Sequence, residues 1–147
     1  MAMGKLKRGQ EGLWVATSDL PRSPGHPFYA RLNRPLESEG FDAFVEVRCR
    51  RFYAAVLGRP SLAPGRYFRL MLVGYFEGLD SERGMAWRAA DSLAVRGFLG
   101  LGLEEQAPDH STISRTRRLI DVETHREVFS WIQDRLAQAG LLKGKTI

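Results

Sequence analysis

Cysteine is nearly missing. Cys49 is the only one in 147 residues, which excludes an internal disulfide framework and suits a reducing compartment. Long apolar runs are missing too: the longest, about Leu70 to Phe76, falls far short of the ~20 residues a membrane span needs. No charged-then-apolar leader with a small-residue cleavage site opens the chain, so secretion is not expected. Histidine is scarce, and His26, His110 and His125 are scattered, so with a lone thiol they offer no zinc set at usable spacing. His125 reads as a surface or partner-contacting side chain, not a general base. The acidic pairs Glu37/Glu39 and Glu104/Glu105 fall in loops or helix starts and read as solvated surface. The two-residue alternation that marks strands is almost absent, which predicts an all-α fold.

What is present is an ordinary globular mixture, 44% hydrophobic and 27% charged, with 15 glycines and 7 prolines. The charge is uneven. Twenty-two basic residues against 17 acidic give a net of +5, and arginine dominates the basic side. Residues 1–34 carry a net of +4 and residues 111–147 a net of +3, around a neutral-to-acidic middle. Positive ends favour a polyanionic partner, with an arginine-rich but ordinary solvated surface as the competing reading.

Local signals divide the chain. Residues 1–36 hold Pro21, Pro24, Pro27 and Pro35 and the cluster Lys5, Lys7, Arg8, which predicts an extended basic arm anchored by Trp14, Phe28 and Tyr29. From residue 37 to 140 the pattern predicts a bundle of about five helices. Phe41, Phe44, Val45, Cys49, Phe52, Tyr53 and Val56 make one apolar stripe, which Gly58, Pro60 and Pro64 end. Tyr67 to Leu79 is apolar almost all round and should be the buried centre. Gly74 within it costs roughly 1 kcal/mol against alanine, so a close helix crossing is expected there. Ser81 caps a third helix with Glu82 in its first turn and Ala86, Ala89, Ala90 and Leu93 as its stripe; Gly97, Gly100 and Gly102 then open a loop. Asp109 or Ser111 caps a fourth. A fifth begins at Asp121, turns Val128, Trp131, Ile132, Leu136 and Ala139 inward, and stops at Gly140.

The fourth helix carries the most chemistry. At about 100° per residue, Ser111, Ser114, Arg115 and Arg118 share one face, and Ile113, Thr116 and Ile120 share the other. Arg117 flanks the polar face, and His110 and Thr112 lie at its N-terminal end. An apolar back with a Ser/Arg front is what a major-groove reading element needs, since arginine pairs with guanine and hydroxyls reach bases or phosphates. An amphipathic surface helix with a basic outside is the alternative. A helix-turn-helix usually joins its helices through about three or four residues. The dozen or so from Arg96 to Asp109 would make this a variant. Ala139 to Thr146 matches a relaxed phosphate-loop pattern, but a helix precedes it where the mechanism needs a strand, so no nucleotide site is expected.

Several stretches in order are similar to one family. They are PGRYFRLMLVGYFEGLDSERG, then RGFLGL, then PDHSTISRTRR, with PRSPGHPFY before them and GLLKGKTI after. Together they resemble the N-terminal region of bacterial insertion-sequence transposases of the DDE type. The resemblance implies an all-helical domain that binds double-stranded DNA at the terminal inverted repeats of its element, in a bacterial cytoplasm and associated with the nucleoid. It implies DNA-facing roles for His110, Ser111, Thr112, Ser114, Arg115, Arg117 and Arg118, with Ser81, Glu82 and Arg83 capping and orienting the preceding helix. In such families a catalytic domain follows, where three carboxylates bind two divalent metals, usually Mg2+. Residues 141–147 would be its truncated start, and the chain stops at Ile147 before any such carboxylate. The expectation is therefore a DNA-binding part shortened by a stop, a frameshift or gene decay, with no cofactor and no catalysis of its own. Two other readings stay open: an interaction module that pairs with and inhibits intact transposase, or itself as a homo-oligomer, and an inert gene remnant. Exposed Trp131 and Ile132 would favour the module.

Overall fold

A computed structural model describes residues 28–53 and 61–141, together with positions 1–6, 9, 12 and 14–16. The fold is all-α. Among the described residues the helices are α1 (Phe28–Ser38), α2 (Phe41–Cys49), α3 (Pro64–Glu77), α4 (Glu82–Asp91), α5 (Leu93–Leu99), α6 (His110–Leu119) and α7 (Val122–Gln138), with a 3-10 turn at Arg50–Phe52. None of these helices is long and apolar enough to cross a membrane.

The arm read over residues 1–36 is helical from Phe28 onward, so the helical body begins nine residues before position 37. Pro35 sits inside α1 despite a cost of about 3 kcal/mol for proline in a helix interior. Packing outweighs it. Leu32 and Leu36 are buried, each contributing about 1.5–3 kcal/mol. Phe28 meets Phe76 edge-on at 5.1 Å, and Tyr29 lies 5.1 Å from Phe98. Trp14 anchors nothing, being 90% exposed. Lys7, Arg8 and Pro21 to Pro27 lie outside the described residues, as do Val56, Gly58, Pro60 and 142–147.

α2 stops at Cys49, short of the predicted stripe, and Phe52 and Tyr53 follow in the 3-10 turn and an extended residue. Cys49 is buried, and loss of water around it pushes its thiol up to about 11. α3 opens on Pro64, whose missing N–H is no loss in a first turn. It buries Tyr67, Phe68, Leu70, Leu72 and Val73, and it packs against α2, α4 and α5. The expected close crossing is at Gly74: a Cβ there would lie 2.8 Å from the Met85 sulfur on α4.

α3 also buries a charge. Arg69 is 5% exposed; it reaches Asp42 of α2 at 2.8 and 3.1 Å and Asn33 of α1 at 3.0 Å, with Phe41 under its guanidinium. One side chain thus ties α1 and α2 to α3.

The predicted third helix is two helices. α4 ends at Asp91, because the Ser92 hydroxyl accepts the Val95 N–H at 3.1 Å and starts α5. Met85 and Ala89 face the core, while Ala90 and Leu93 are exposed, and Gly97 is helical, not the start of a loop. The turn comes at Gly100, left-handed at φ 72°. Arg66 donates to the carbonyls of Leu99 (3.0 Å) and Gly100 (2.7 Å), and Arg96 to that of Gly102 (2.6 Å), so arginines fix the segment leading to α6. α7 buries Val128, Ile132 and Leu136 as expected, and leaves Ala139 exposed before left-handed Gly140.

Candidate nucleic-acid interface

α6 is built from its cap upward. One carboxylate oxygen of Asp109 accepts the Thr112 N–H at 2.8 Å and the Ser111 hydroxyl at 2.8 Å. These hydrogen bonds, the Thr112 amide first, hold the Asp109 carboxyl down at about 2. The back of the helix is Ile113, Thr116 and Ile120, all buried, with the Thr116 hydroxyl bonded to the Thr112 carbonyl at 2.9 Å. α6 packs chiefly on α4.

The front is polar. Ser111, Arg115 and Arg118 are exposed and Ser114 is half-buried beside them, so the structure brings these four predicted residues onto one surface. His110 is exposed in the first turn, and Thr112 is half-buried at the side, where its hydroxyl faces Arg115 at 3.5 Å. Arg117 departs from the group. Its guanidinium folds along the flank to Glu82 of α4 at 2.8 Å and to the Met71 sulfur of α3 at 3.4 Å.

Eight arginines of the described residues lie within 4.0 Å of a carboxylate. Arg115 and Arg118 have no such partner among the described residues. Their charge is uncompensated locally, which is the electrostatic condition for meeting a polyanion.

Two groups behind α6 were not readable as a unit in the sequence. The Tyr67 hydroxyl lies 2.7 Å from Nε2 of His125, and Nδ1 of that ring lies 2.8 Å from the Asp121 carbonyl oxygen. Burial raises the Tyr67 hydroxyl above its ordinary value, and the neighbouring Arg117 opposes that. His125 is half-buried and braces α7 against α3, and does not stand free on the surface. Ile132 is fully buried and Trp131 stacks on Phe44 at 4.9 Å, so neither provides the exposed face that the interaction-module reading called for.

Ser81 caps α4 as expected, accepting the Gly84 N–H at 3.0 Å, and the Glu82 carboxylate meets Arg117 of α6 at 2.8 Å. Among the described residues no three His, Cys, Asp or Glu side chains gather as a metal site. A family model described as "Transposase domain (DUF772)" matches residues 19–119, which spans α1 to the last residue of α6. No curated protein and no solved structure matches the chain.

Proposed function

The chain belongs to the transposase-domain family DUF772, and from that premise we propose that it binds double-stranded DNA through the outer face of α6. Membership gives it a transposon-associated role. The finer reading rests on one observation: α6 presents Arg115 and Arg118 without a carboxylate partner among the described residues, while its apolar side is buried. A helix of this kind fits a major groove about 12 Å wide, where arginine can pair with guanine and hydroxyls can reach phosphates.

In this reading α4, α5 and α6 act as a variant helix-turn-helix. α4 braces α6, and a ten-residue connector held by Arg66 and Arg96 replaces the usual short turn. The target is the terminal inverted repeats of the element, and Lys5, exposed near the start of the chain, adds to the electrostatic attraction. The reading gives this chain the binding step and assigns no catalytic step to any of its residues.

The test is a salt titration of binding to a labelled mixed-sequence duplex. Each phosphate contact contributes about 0.9 to the slope of log affinity against log salt. Arg115→Ala with Arg118→Ala should weaken binding and flatten the slope. An unchanged slope would remove α6 from the interface.

A further inference from the structure

We infer that Arg117 and Glu82 are positioning residues that set the tilt of α6, and that neither belongs to the surface that meets DNA. The inference rests on the DNA-binding reading above and divides the basic residues of α6 by task. Arg115 and Arg118 are exposed and have no carboxylate partner among the described residues, whereas Arg117 places its guanidinium on Glu82 (2.8 Å) and Met71 (3.4 Å). The Glu82 side chain is 30% exposed and that of Arg117 45%, so the pair lies on the seam between α4 and α6.

The open side of the helix shows what the pair adds there. An open depression of about 330 Å3 beside the C-terminal end of the helix is lined by Tyr67, Met71, Arg117, Ile120, His125 and Phe129. Close packing of Thr116 and Ile120 holds the core side of this end, but on the open side solvent takes the place of packed atoms. The last turn of α6 borders this depression. Ile120 and Asp121 join it directly to α7, which fixes its end point but not its approach to α4. At this end the Glu82–Arg117 ion pair crosses from α4 to α6, alongside the Arg117 contact with Met71 of α3. The N-terminal end is held separately by the Asp109 cap.

The sign of one substitution separates this inference from simple electrostatics. Glu82 is an anion beside a surface that would meet phosphates. If charge alone mattered, Glu82→Gln would tighten DNA binding; if Glu82 positions α6, the same change weakens it.

The experiment uses the full chain and a fluorescently labelled mixed-sequence duplex, titrated at several salt concentrations. Glu82→Gln and Arg117→Gln should each weaken binding about threefold, the scale of a partly exposed ion pair, and leave the salt slope unchanged. The double variant should be no weaker than either single one, because both remove the same contact. Arg117→Lys should recover part of the loss. Amide exchange across residues 116–120 should also quicken in Glu82→Gln without DNA, while the overall thermal transition moves little.

Tighter binding by Glu82→Gln, or a slope lowered by about 0.9 in Arg117→Gln, would overturn the inference and make Arg117 a phosphate contact. Unchanged exchange over 116–120 would overturn it as well, whatever the DNA result. Failure of the wild-type chain to bind the duplex would instead overturn the DNA reading. The positioning role would then stand or fall on exchange alone.

Discussion

The Tyr67 hydroxyl donates to Nε2 of His125 across 2.7 Å, joining the central helix α3 to α7 behind the basic face of α6. The direction follows from the other ring nitrogen. Nδ1 faces the Asp121 carbonyl, which can only accept, so Nδ1 carries the proton and Nε2 is left as the acceptor.

Tyr67→Phe keeps the ring, which is fully buried, and removes only the hydroxyl. Nε2 then loses its partner in a half-buried place, at a cost of about 1–2 kcal/mol. For a domain of this size the midpoint of thermal unfolding should drop by roughly 3–6 °C. Denaturation of the purified variant measures it directly. A midpoint equal to that of the wild type would mean the bond contributes nothing net.

What could be read in the sequence was what is local. Ser81, Asp109 and Asp121 each cap a helix because the hydroxyl or carboxylate needs only the amide three residues on. The buried face of α6 was legible for the same reason, since Ile113, Thr116 and Ile120 repeat at helical spacing. Most of the misses involve partners distant in sequence. Pro35 read as a breaker because nothing nearby shows that Leu32 and Leu36 will be buried against other helices. Arg69 interrupts an apolar run, and its inward direction is set by Asp42, 27 residues away. Arg117 lies on the edge of the polar face by period, and Glu82, 35 residues earlier, decides which way it turns. The break at Ser92 was a local signal that went unread, a serine placed to accept the Val95 amide.

The Arg69–Asp42 contact depends on a glycine. A Cβ at Gly65 would lie 2.0 Å from the Asp42 carboxylate oxygen that Arg69 holds at 2.8 Å. Asp42→Ala leaves the buried guanidinium with only Asn33 and the Gly65 carbonyl, and should destabilise the fold by roughly 2 kcal/mol. Gly65→Ala should cost a similar amount by driving the carboxylate away. In the Asp42→Ala background the alanine meets no carboxylate, so Gly65→Ala should then be nearly neutral. Urea unfolding of the four proteins in the cycle gives the coupling, and strict additivity would show that Gly65 does not act through Asp42.

The start of α6 carries a pH dependence whose sign is fixed by its cap. The Thr112 amide and the Ser111 hydroxyl bond to the ionised form of Asp109, lowering its carboxyl from an ordinary 3.8 to about 2. A depressed folded-state value means that the stabilisation is complete above 3.8 and is lost as pH falls through about 2. The Thr112 amide resonance should therefore titrate near the lower value, and exchange at the first turn of α6 should quicken only below it. Asp109→Asn keeps a side-chain oxygen for the cap but has no proton to gain, so the Thr112 titration should vanish while the helix stays formed. Asp109→Ala should fray the first turn at every pH and loosen Ser111 at the edge of the basic face. If Thr112 titrates in the Asn variant as it does in the wild type, the proton is binding elsewhere, and the cap does not control the N-terminal end of α6.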